Sequence, residues 1–151
     1  MRPASRRFAT GARSAFGRDR LLQHHLRGLY FAARGQHARA AEAFRRAVFS
    51  TTGGYTRTNL ELGRSLLRLG RAQDAIAILR AAFRGPLDSS GFYATQTQLH
   101  QLLGRAFEAA GHPDSAAVHY RRVLAAWDGA DPEFRSPRDS VAARLARLGR
   151  R

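Results

Sequence analysis

Cysteine is absent from this 151-residue chain, lysine is absent too, and acidic residues number only 11 against 26 arginines. Each shortage excludes something. Without cysteine there are no disulfides, no thiolate nucleophile and no cysteine-based metal site, although a thiol-free chain suits any redox compartment. No run approaches the roughly 18 apolar residues that a membrane-spanning helix needs. Valine and isoleucine, which favour strands, are scarce, whereas alanine, leucine and arginine, strong helix formers, dominate. The restriction of basic residues to arginine is compatible with nothing more than coding-sequence composition. The shortage of acids has a physical consequence: the net charge is +15, which attracts polyanions and carboxylate-bearing partners.

Residues 1–20 carry Arg2, Arg6, Arg7, Arg13, Arg18 and Arg20 against Asp19, with no apolar middle of the kind a secretory signal has. They read as a flexible basic tail; an organellar transit peptide has a similar Arg-rich, acid-poor composition and is the alternative. With neither a signal nor a spanning segment in view, the expected setting is the cytoplasm.

What the sequence does contain is repetition. Segments 21–54, 56–89 and 97–130 superimpose. Each carries a glycine inside an apolar-periodic helix (Gly28, Gly63, Gly104) and a second glycine seven residues later (Gly35, Gly70, Gly111). Five residues on comes an alanine (Ala40, Ala75, Ala116), then a large residue (Phe44, Leu79, Tyr120), then Ala47, Ala82 and Val123. A mid-helix glycine costs about 1 kcal/mol relative to alanine, so three in register call for close approach of a second helix. The later glycine suits the left-handed end of a first helix, and Gln36–His37, Arg71–Ala72 and His112–Pro113 then open a second. Three antiparallel helix pairs follow. The step from Gly63 to Gly104 is longer than that from Gly28 to Gly63. The surplus falls in the turn-rich run 84–91, which implies a longer loop there and a third unit whose first helix begins near Phe92. After a linker, Ser136 and Pro137 suit a cap and first turn, and Val141, Leu145 and Leu148 mark a seventh helix with one apolar stripe, capping the array within residues 131–151.

This spacing resembles the tetratricopeptide repeat over residues 21–130, and the end of the chain, with Trp127 followed by Ala130-Asp131-Pro132-Glu133, is similar to the C-terminal ends of bacterial tetratricopeptide proteins. The resemblance implies an all-α, right-handed α-solenoid of antiparallel helix pairs with about seven helices. It also implies a protein-interaction scaffold whose partner, a protein or acidic peptide, lies on the concave face made by the first helices. The residues it assigns to that face are His25 and Leu29; Arg57, Leu60, Arg64 and Arg68; Gln98, Gln101, Arg105 and Glu108. The clamp with which one member type holds chaperone tails is missing, since His25, Leu29, Glu61, Gln98 and Leu102 stand at its positions.

Catalytic chemistry finds no purchase. There is no phosphate-binding glycine loop, no Gly-x-Ser-x-Gly elbow and no His-Glu-x-x-His, and Thr52-Gly-Gly-Tyr55 reads as a turn between units. The six histidines show no His-x-x-x-His spacing. No catalytic, cofactor or metal residue is assigned, and the chain is expected not to be an enzyme. Two further readings stay open: a polyanion binder touching nucleic acid or an acidic membrane surface, chiefly through the basic tail, and a homo-oligomer stacked end to end through the end that carries Leu21, Leu22 and Leu26.

Overall fold

The computed structural model describes residues 19–47, 56–84 and 95–150. Among them are seven α-helices and no strand. Helices α1 (Asp19–Ala33) and α2 (His37–Ala47) form the first hairpin, α3 (Thr56–Arg68) and α4 (Ala72–Ala82) the second, and α5 (Gln96–Ala109) and α6 (Pro113–Ala126) the third. A 3-10 turn, Pro132–Phe134, leads into α7 (Arg135–Leu148).

The three hairpin turns share one geometry. Gly35, Gly70 and Gly111 have φ of +71°, +73° and +76°, which only glycine adopts without strain. At each turn the glycine N–H bonds back to Ala32, Leu67 or Glu108, and the next N–H reaches Phe31, Leu66 or Phe107 at 2.9 Å. That pair of bonds satisfies carbonyls a helix end would otherwise leave bare.

The glycines inside α1, α3 and α5 explain the packing. A Cβ built on Gly28 would lie 2.4 Å from the Phe44 ring, on Gly63 2.7 Å from Leu79, and on Gly104 2.4 Å from the Tyr120 ring. The missing side chain is thus the socket for the large residue of the second helix, and all three large residues are fully buried. Burial of each contributes about 2–3 kcal/mol. Ala40, Ala75 and Ala116, with no exposed surface, let the paired helices approach.

The hairpins stack: α2 packs on α3, α4 on α5, and α6 on α7. The first helices also meet one another across units, α1 with α3 and α3 with α5, while no contact of comparable extent joins α2 to α4 or α4 to α6. The first helices are therefore in contact along the stack.

Two helix starts differ from the sequence expectation. Helix α5 begins at Gln96 rather than near Phe92, because Thr95 is extended and caps it: its hydroxyl accepts from the Gln98 N–H at 3.2 Å while the Gln98 side chain accepts from the Thr95 N–H. Helix α7 begins at Arg135, one residue before Ser136, because the 3-10 turn runs straight into it. Pro137 still lies in the first turn, where its missing N–H costs nothing. The tail 1–18 and the 85–94 linker lie outside the described residues.

Candidate functional site

Along the stack each first helix after α1 is clasped by two second helices, its own and that of the preceding unit, so little of it reaches solvent. In α3 the residues from Thr58 to Gly63, with Ser65 and Leu66, are all buried. The open strip consists of Arg57, Arg64, Leu67 and Arg68. On α5 the corresponding strip is Gln98, Gln101, Arg105, Glu108 and Ala109. The two strips run side by side because α3 and α5 are in contact.

This clasping decides where the ten expected surface residues lie. Leu60 is buried in the core, and Leu29 packs partly buried against it. His25 is buried as well: its Nδ1 lies 2.9 Å from the Thr58 hydroxyl, and its ring tilts against Phe44. Burial, then the Arg57 charge, lowers its pKa, so it ties α1 to α3 as a neutral imidazole. Gln98 is exposed, but its side chain is engaged in the α5 cap. Arg57, Arg64, Arg68, Gln101, Arg105 and Glu108 lie on the two strips and reach the surface.

The surface along these strips is strongly basic. Glu61 lies 2.9 Å from the Arg64 guanidinium and 3.6 Å from that of Arg57. Glu108 accepts from the Tyr120 hydroxyl at 2.6 Å and from Arg144 at 2.9 Å. Burial pushes the Glu108 pKa up, but the bonds from Tyr120 and Arg144 outweigh it and hold the carboxyl below its usual range. Both carboxylates are thus already engaged. Arg68 and Arg105 have no carboxylate partner among the described residues. Partial desolvation lowers the Arg105 pKa, and repulsion from Arg144, Arg68 and Arg64 lowers it further. Four guanidiniums from α3, α5 and α7 therefore converge on one stretch of surface, an arrangement that favours an incoming anion.

Arg144 was not among the residues assigned from sequence. It lies three residues after Val141 and four before Leu148, at the border of the α7 apolar stripe, and that position was the available signal. A second cluster also escaped sequence reading. Across the third hairpin the His100 and His119 Nδ1 atoms are 2.9 Å apart, His119 stacks on Phe107, and Phe83 lies against His100. Burial, then His100 and the nearby Arg122 and Arg80, push the His119 pKa down to about 4. The described residues bring together no group of three or more potential metal ligands of the His, Asp or Glu type. None of their helices is long and apolar enough to cross a membrane.

The helix-pair geometry has counterparts among solved structures. The crystal structure of a Podospora anserina putative kinesin light chain with nearly identical TPR-like repeats, in a form carrying one substitution, matches with a TM-score of 0.71 at 19% identity, over 95% of this chain and 73% of that one. The first TPR domain of the human RPAP3 protein, solved by NMR, matches with a TM-score of 0.63 at 16% identity, over 89% of this chain and 98% of that one. The fold is a tetratricopeptide-type solenoid. No protein-family model matches the sequence, and no curated protein matches it significantly. The tetratricopeptide assignment therefore stands on the three-dimensional arrangement of the helix pairs, with α7 packed against α6.

Proposed function

We propose that this protein is a non-catalytic scaffold that holds an acidic, extended segment of a partner protein along the basic surface shared by α3, α5 and α7. The observation that carries this reading is the convergence of Arg64, Arg68, Arg105 and Arg144 on one face whose own carboxylates, Glu61 and Glu108, are already engaged. The planar guanidinium fork is pre-organised, so arginine loses less freedom per hydrogen bond formed and pairs with carboxylates in forked geometry. Arg57 and Gln101 extend the contact along the same strips. Tetratricopeptide folds commonly serve protein–protein interaction, which agrees with the reading without specifying the partner.

The test is capture from native lysate after nuclease treatment, with the wild-type chain and an Arg64→Glu/Arg68→Glu variant side by side. The expected result is one or a few proteins retained near stoichiometrically by the wild type and lost by the variant, with unchanged helical circular dichroism. Retention by both chains would remove this surface from the assignment. Material that disappears with nuclease would move the function to nucleic-acid binding through net charge.

A further inference from the structure

Among the described residues, no second helix lies across α1 as α2 lies across α3 and α4 across α5. Gln23, Leu26 and Arg27 on α1 correspond to Thr58, Glu61 and Leu62 on α3 and to Leu99, Leu102 and Leu103 on α5. All six of the later residues are buried, because α2 lies across α3 and α4 across α5. Leu26, by contrast, is 46% exposed. We propose that this end of the solenoid docks an acidic amphipathic helix of a partner protein, seated across α1 where the second helix of a preceding repeat would lie.

The chemistry of the face selects the occupant. Arg27, the residue after Leu26, lines a shallow hollow along the α1–α2 seam, floored by Phe31 and Ala43 and bordered by His24, Arg39, Glu42 and Arg46. Arg27 stands where the later units have Leu62 and Leu103. Its guanidinium and that of Arg39 lie over the Phe31 ring at 5.5 and 4.1 Å. Glu42 is the single carboxylate lining the hollow, and it is held by Arg46 at 2.6 Å. The His24 pKa is lowered by burial, then by Arg46 and Arg27, so at neutral pH the seam keeps an excess of positive charge. An ordinary apolar repeat placed here would bury guanidiniums without partners, which is costly. A helix with an apolar stripe for Leu26 and carboxylates flanking it satisfies both parts of the face.

Occupants from this chain are mismatched in charge. Residues 1–18 carry five arginines and no acid. The exposed residues of α7 include Arg135, Arg138 and Arg147 against Asp139, so end-to-end stacking of copies sets like charges together. A two-fold pairing of α1 with a second α1 sets Arg27 toward Arg27.

The experiment uses the full chain and three labelled synthetic peptides of roughly 18 residues, about five helical turns. One has a leucine and alanine stripe flanked by glutamates, one has lysine in place of every glutamate, and one is a scramble of the first without the stripe. Fluorescence anisotropy is expected to show binding of the glutamate peptide only. That binding should weaken about tenfold or more, equivalent to about 1.4 kcal/mol, in Leu26→Asp and in Arg46→Glu. Both substituted side chains are exposed, so folding is expected to survive, with circular dichroism as the check. Arg64→Glu/Arg68→Glu should leave this binding unchanged, which separates the end face from the α3 and α5 strips. Equal binding of the scramble or of an RNA oligonucleotide reduces the face to a charge effect and overturns the proposal. So does absence of peptide binding up to about 1 mM. Concentration-dependent mass in sedimentation that Leu26→Asp abolishes overturns it in favour of a second copy.

Discussion

The first and third hairpins are built on the same joint and differ in what surrounds it. In both, an aromatic ring fills the socket left by a glycine, Phe44 under Gly28 and Tyr120 under Gly104, and a histidine, His24 or His100, stands four residues before that glycine. The third hairpin lies between two neighbours, α4 and α7. There the ring carries a hydroxyl that bonds Glu108, which in turn bonds Arg144 of α7. In the first hairpin the residue equivalent to Glu108 is Ala32, the ring has no hydroxyl, and arginines cover the seam. The helix-pair joint is thus set by small and large residues in register. The polar residues added to it differ between the two: a bonded chain to α7 at the third hairpin, guanidiniums over Phe31 at the first.

The largest expected effect tests the tether. An alanine Cβ at Gly28 or Gly104 meets the ring at the same 2.4 Å. Phe44 can shift at the expense of packing alone, whereas Tyr120 must also stretch its bond to Glu108. After allowing for the better helix propensity of alanine, Gly104→Ala is expected to lower stability by about 3 kcal/mol and Gly28→Ala by about 1–2 kcal/mol. Urea unfolding measures both, and equal losses would remove any role for the tether.

Exchanging the hydroxyl sharpens the contrast. Tyr120→Phe leaves Glu108 with Arg144 alone and should cost about 1–2 kcal/mol. Phe44→Tyr brings a hydroxyl toward Ala32, where the equivalent side chain offers no acceptor, and should cost about 1–3 kcal/mol. A stabilising Phe44→Tyr would mean that the two sockets are not equivalent.

The frame was legible from sequence because glycine, alanine and the large residues have steric requirements that do not depend on context. The sockets at Gly28, Gly63 and Gly104 and the left-handed turns at Gly35, Gly70 and Gly111 all follow from spacing. The surface was less legible. Helical periodicity gives the angular position of His25 and Leu60 but not how the neighbouring helices close over them, and both turn inward. Gln98 has the spacing of a free surface glutamine, yet Thr95 ends the linker in a cap that engages it, and the His100–His119 contact joins residues on different helices. Arg144 needed the placement of α7 against the third unit, which depends on tertiary packing of α6 and α7.

Acid should open the third hairpin before the first. In the unfolded chain a histidine takes up a proton near pH 6.5, while His119 in the fold does so only near pH 4. Between these values the unfolded state binds more protons, so stability falls as pH drops through that window and is flat above it. The His100 pKa is lowered as well, by burial and then by Arg122, and protonation of both rings would break their shared hydrogen bond. Glu108 loses its contribution only at lower pH, because its folded pKa lies below the usual carboxylate range. Native-state hydrogen exchange at pH 5 should therefore show weakened protection in α5 and α6 relative to pH 7, with a smaller change in α1 and α2, where the pKa values of His24 and His25 are lowered too but only His119 is brought down to about 4. His119→Gln, which keeps a polar group but does not titrate, should move the acid midpoint downward. An unchanged midpoint would mean that the pair does not govern the acid limb.

The smallest effect concerns the cover over the open seam. Arg39 lies 4.1 Å above the Phe31 ring at the end of the array, while Arg80 lies 5.3 Å from the Phe107 ring, which His119 already stacks against. A cation–π contact at a solvent-accessible site contributes about 0.5–1 kcal/mol and weakens with distance. Arg39→Ala should therefore cost about that amount, and Arg80→Ala closer to nothing, in matched thermal unfolding. The sign of the difference matters more than its size. Among the described residues no second helix lies across α1, and part of the burial that α2 and α4 supply to α3 and α5 is supplied at Phe31 by guanidinium planes. If Arg39→Ala and Arg80→Ala prove equal, the arginines at this end are simply solvated. Their conjunction with Leu26 would then be a matter of surface charge and not of how the solenoid ends.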